Sequence, residues 1–111
     1  MVIGDLFKVE KVLVEIQLSE KFSMSMKDYV ELTEHLKNVR KYTDMFFKLQ
    51  NDYKKTFKGK GSLNEYHQRL WKEEIDVDLS DVLSFINKIK ETTDNENLVE
   101  LIDIELQLAD F

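Results

Sequence analysis

Residues 27–57 read KDYVELTEHLKNVRKYTDMFFKLQNDYKKTF, and the reading of this stretch decides the fold. Tyr29, Leu32, Leu36, Val39, Phe46, Leu49, Tyr53 and Phe57 recur at three- and four-residue steps, while Lys37, Arg40, Lys41, Lys48, Asp52 and Lys55 fall mainly between them. That pattern is the signature of an amphipathic helix. No glycine or proline interrupts it. A helix of about 30 residues is roughly 45 Å long at 1.5 Å per residue, longer than a domain of this size is wide. It must protrude, bend or pack against a partner. Phe46 and Phe47 are neighbours and cannot both enter one seam, so the spacing predicts two apolar faces to cover.

On the N-terminal side, Leu6, Val9, Val12, Leu13 and Ile16 stand at helical spacing over residues 3–18, with Phe7, Val14 and Leu18 widening the stripe. Helix is the preferred reading, although Val12, Val14, Ile16 and Leu18 also alternate with polar residues as a strand would. Residues 22–26, Phe-Ser-Met-Ser-Met, alternate with period two and predict a short half-buried strand.

On the C-terminal side, Gly59 and Gly61 mark the one clear break. Ser62 and Glu65 have capping-box spacing, which predicts a short helix to about Glu73 with Leu63, Tyr66, Leu70 and Trp71 on one side. Residues 74–79 alternate cleanly and predict a strand with one solvated acidic face. A helical turn or two follows a cap at Ser80 or Asp81, then residues 92–95 form a loop and N-cap. Leu98, Val99, Leu101 and Ile102 predict a short helix, and Ile102, Ile104, Leu106 and Leu108 a strand, the two readings overlapping at Ile102. The expected fold is α+β and mostly helical: a long central amphipathic helix, shorter helices, and a small antiparallel sheet of two or three strands. Direct pairing of the acidic strands would stack Glu74, Asp76 and Asp78 near Asp103 and Glu105, which is destabilising. That conflict predicts either another strand order or a cationic partner.

The 111 residues suit a single domain, 1–111, with 42% hydrophobic residues sustaining one core. There is no cysteine, which excludes disulfides, thiolate nucleophiles and zinc ribbons. The N-terminus does not read as a signal peptide, and no segment approaches the roughly 18 apolar residues of a membrane span. A cytoplasmic setting without membrane association is expected. The net charge of −6 is uneven. Residues 1–61 carry 12 Lys/Arg against 9 Asp/Glu, whereas residues 62–111 carry 4 against 13. Whether the halves are also separated in space depends on how they pack.

Residues able to carry chemistry are sparse. His35 and His67 have no metal-ligand spacing, and hydrogen-bonded structural imidazoles are the favoured reading. Glu73/Glu74, Asp76/Asp78 and Asp103/Glu105 could supply oxygen ligands to a hard cation, but Asp76-Val77-Asp78 lacks the glycine and distal glutamate of a calcium loop, and alternating acids are better read as a solvated face. No glycine-rich phosphate loop is present. Lys54, Lys55, Lys58 and Lys60, with Tyr53 and Phe57 interleaved, could grip phosphates and stack a base. Complementation of a helix macrodipole is favoured over that role, because the chain is acidic overall. No catalytic residue, metal site or cofactor is expected.

The element order resembles a group of small phage-encoded proteins of unknown function. The matching places are Lys21 to Met26, the long helix ending between Tyr53 and Gly59, Glu73 to Leu79, and Leu108 to Phe111. The prolines of the group's pattern are missing here. The resemblance implies a viral protein in a host cytoplasm and supplies no catalytic residues.

The functional expectation is a non-enzymatic protein-binding module, in concrete form a phage accessory protein that engages or inhibits a host defence or nucleic-acid-processing protein. Its candidate interface is Phe46, Phe47, Tyr53, Asp76, Asp78, Asp103 and Glu105, with regularly spaced carboxylates standing in for phosphates. The alternatives are a structural assembly component, self-associating through the long helix, and nucleic-acid binding through the 54–60 lysine cluster.

Overall fold

The computed structural model describes residues 1–56 and 63–107. Among them are five α-helices: α1 (Ile3–Glu20), α2 (Met26–Thr56), α3 (Leu63–Trp71), α4 (Ser80–Thr92) and α5 (Glu96–Gln107). The expected single long helix is present with nearly its predicted bounds. Its 31 residues give a length of about 46 Å, which matches the 49 Å long axis of the molecule.

Local chemistry sets most helix ends. Asp5 turns its carboxylate back on the Val2 amide at 3.1 Å, which secures the first turn of α1. Ser25 accepts the Asp28 amide at 3.1 Å and so caps α2. Asp78 accepts from both the amide (2.9 Å) and the hydroxyl (2.6 Å) of Ser80 where α4 begins. Asn95 accepts the Leu98 amide at 3.2 Å, fulfilling the predicted cap before α5. The predicted Ser62 cap lies outside the described residues.

The small antiparallel sheet is not present, and the fold is all-helical among the described residues. Residues 22–25 lie in the α1–α2 turn and Met26 opens α2, because Ser25 is committed to capping that helix. In the 74–79 segment the alternation is real but has another cause. Ile75, Val77 and Leu79 face the core while Glu74, Asp76 and Asp78 face water. The segment is an extended strap laid on helices, and it pairs through one isolated bridge, Glu74 to Val2. Residues 102–107 continue α5, because Leu98, Ile102 and Leu106 recur every four residues and that stripe outweighs the two-residue alternation.

The core also reassigns the centre of the molecule. Leu6, Val9, Val12, Leu13 and Ile16 of α1 are fully buried, and at about 1.5–3 kcal/mol per buried large apolar side chain they form its strongest apolar contribution. Around them pack Leu32, Leu36 and Val39 of α2, Val82, Phe85, Ile86 and Ile89 of α4, and Leu98 and Ile102 of α5. The short α1 is the central element, and the long α2 flanks it. The two differently charged halves interleave: Lys11 of α1 pairs with Glu105 of α5 at 2.7 Å, and Asp28 of α2 with Lys88 of α4 at 2.7 Å.

Candidate functional site

The predicted interface residues separate into three places. Phe46 and Phe47 flank the ring of Phe7, which stands edge-on to both, with centroids 5.2 and 5.5 Å away. Phe46 is 3% exposed and Phe47 51% exposed. Trp71 of α3 stacks on Phe7 at 5.0 Å, and His67 stacks on Trp71 at 5.7 Å. Further along α2, Tyr53 stacks on Tyr66 at 4.2 Å. The two apolar faces of α2 are therefore covered by α1 and α3, leaving Phe47, Met45 and Leu49 as the partly open remainder.

His67 belongs to this aromatic stack and also hydrogen-bonds Gln50. His35 packs against Phe85 with centroids 5.3 Å apart and reaches Glu31 at 3.4 Å. Among the described residues, no group of three or more His, Cys, Asp or Glu side chains is placed to hold a metal ion.

The acidic candidates do not form one array. Asp76 and Asp78 edge a 320 Å³ groove facing Asn38, Lys41 and Tyr42 of α2. The Ser80 hydroxyl and amide hold the Asp78 carboxyl below its ordinary pKa. On α5, Asp103 pairs with Lys90 and Glu105 with Lys11. The regular ladder of phosphate-like charges loses its basis, because it required two strands side by side.

Lys54 and Lys55 are exposed in the last turn of α2, where cations complement the helix dipole. Lys58 and Lys60 lie outside the described residues. Tyr53, expected to be available for base stacking, is occupied by Tyr66.

Among the described residues, the most exposed apolar surface lies where sequence reasoning did not place it. Leu18 is 72% exposed, Phe22 97%, Met26 78% and Val30 48%. They follow one another at four-residue steps through the α1–α2 corner. Their spacing is visible in the sequence, where Leu18 falls in the α1 stripe and Phe22 and Met26 fall on one predicted strand face. Only Met24 of that strand face packs against the core.

No family model, curated protein or solved structure matches this chain. Among the described residues no helix is long and apolar enough to cross a membrane.

Proposed function

We propose that this protein is a non-enzymatic protein-binding module whose contact surface is the α1–α2 corner. The observation that carries the reading is the run Leu18, Phe22, Met26 and Val30, whose first three members are the most exposed large hydrophobic side chains among the described residues. Contiguous exposed apolar side chains mark interaction sites, and an aromatic at their centre is the residue type that anchors interfaces. The stacked or hydrogen-bonded states of His35 and His67 support structural roles for both imidazoles. A phage accessory role in a host cytoplasm, as the sequence resemblance implies, is the concrete setting proposed for that binding.

The test compares the intact protein with Leu18→Ser/Phe22→Ser and with Phe47→Ser as immobilised baits, followed by calorimetry on any purified pair. A partner lost with the corner variant and kept with Phe47→Ser supports the reading. A partner indifferent to the corner variant removes the surface, and a bait that captures nothing specific removes the binding function.

A further inference from the structure

From the charge around the corner we infer the chemistry of the partner: an apolar protein segment flanked by a run of carboxylates. This rests on the protein-binding reading above and goes beyond it. Of the acidic groups lining the corner groove, Asp94 stays exposed, whereas Glu20 and Asp28 are spent inside the fold. Glu20 is hydrogen-bonded to the Ser23 and Thr93 hydroxyls, and Asp28 is paired with Lys88. The lysines point outward. Lys21 lies over the Phe22 ring, its Nζ 5.8 Å from the centroid, and Lys27 is exposed beside Met26.

The same polarity continues along α2. Lys27, Val30, Glu34, Lys37, Lys41, Asp44 and Lys48 form one exposed stripe at three- and four-residue steps. Four lysines there face two carboxylates. Lys37, Lys41 and Lys48 make no ion pair among the described residues, Lys41 lying over the Tyr42 ring with its Nζ 5.8 Å from the centroid, so their charge is not neutralised within the fold. Lys37 and Lys41 also line a 540 Å³ groove between α1 and α2, with Gln17, Thr33, Arg40 and Asp44. Apolar corner and basic stripe are thus continuous, and an occupant that fills the first is guided along the second.

Each of the other occupants fits less well. A second copy docking corner to corner would bring Lys21 and Lys27 against their own equivalents. Nucleic acid would leave Leu18, Phe22 and Met26 uncovered. An anionic bilayer, far larger than a peptide, would face the net charge of −6 of the whole molecule and not the basic stripe alone.

The test pans the folded full-length protein against a displayed library of random peptides. Enriched peptides are expected to combine large apolar residues with Asp/Glu runs, and to weaken as salt is raised. Their affinity should fall about tenfold or more for Phe22→Ser, as for an interface anchor. For Lys37→Glu/Lys41→Glu the enriched flanks should turn from acidic to basic. Phe22 and these lysines are exposed, and circular dichroism verifies that each variant keeps its helices. Peptides that depend on Phe22 but show no acidic preference overturn the partner chemistry and leave the binding reading standing. Peptides indifferent to Phe22→Ser overturn the corner itself, and a library without enrichment overturns both. Phe22-dependent retention of a DNA duplex or of phosphatidylserine vesicles, or concentration-dependent self-association abolished by Phe22→Ser, overturns the inference in favour of that occupant.

Discussion

Gly4 and Trp71 are matched across the α1–α3 contact: a β-carbon on Gly4 would stand 2.5 Å from the indole Nε1 and 2.8 Å from Cε2. The indole has little room to yield, because it is stacked between Phe7 and His67. Gly4→Ala therefore sets a helix-propensity gain of about 1 kcal/mol against an overpacking cost of about 1–3 kcal/mol. A net loss of roughly 1 kcal/mol is expected from denaturant titration, with a shift in Trp71 fluorescence. Gly4→Ala/Trp71→Phe should recover part of it, and simple additivity of the two single changes would refute the steric account.

Phe46 and Phe47 are neighbours with opposite expected costs. Phe46→Ala removes the ring beneath Phe7, His67 and Trp71 and should cost about 3–5 kcal/mol. Phe47→Ala, at a half-exposed site, should cost about 1 kcal/mol. Hydrogen exchange reports which element loosens, and protection in α3 should collapse with the first change and survive the second.

Thr43 is almost fully buried on α2, and its hydroxyl makes no hydrogen bond within the described residues. Replacing a buried, unpaired hydroxyl by a methyl relieves a desolvation penalty of about 1–3 kcal/mol. Thr43→Val is expected to raise the midpoint of chemical unfolding. Thr43→Ala should raise it less than Thr43→Val, because a methyl-sized void then opens at the buried site.

Acid stability should depend on Asp28 and Lys88. The Lys88 ammonium holds the Asp28 carboxyl below its ordinary pKa, and Asp28 raises that of Lys88. For the depressed acid, the stabilisation is complete above the unfolded value near 4 and is lost as pH falls through the lower folded value. For the raised base, it is complete below the unfolded value near 10.4 and is lost as pH rises through the folded value. Asp28→Asn should flatten the loss of stability below pH 4, and a wild-type-like acid limb in that variant would count against the pair.

Helices were legible where a stripe ran unopposed. The α2 stripe and the Asn95 cap could be read from residue spacing alone, whereas over residues 12–18 spacing left helix and strand both open, and the structure shows helix. Periodicity misled in the 74–79 strap, where Ile75, Val77 and Leu79 do alternate inward. Alternation reports which side chains face a core, and it carries no information about whether another strand lies alongside. It misled again at residues 102–107, where two periods shared Ile102. The candidate surface was the least legible part. Exposure of Phe22 is decided by how α1 and α2 meet, and the Ser25 cap that sets their turn was hidden inside an apparent strand. The pairings of Asp103 and Glu105 were equally invisible, since Lys11 lies 94 positions from Glu105.

The placement of α1 at the centre has a consequence for synthesis. This helix leaves the ribosome before α2 to α5, yet the helices that close over Leu6 to Ile16 include α4 and α5, made some 60 or more residues later. At roughly 5–20 residues per second, the most apolar helix of the protein waits several seconds for its covering. Nascent chains arrested before α4 should therefore be the form most prone to capture by chaperones, and release from them should coincide with emergence of α5.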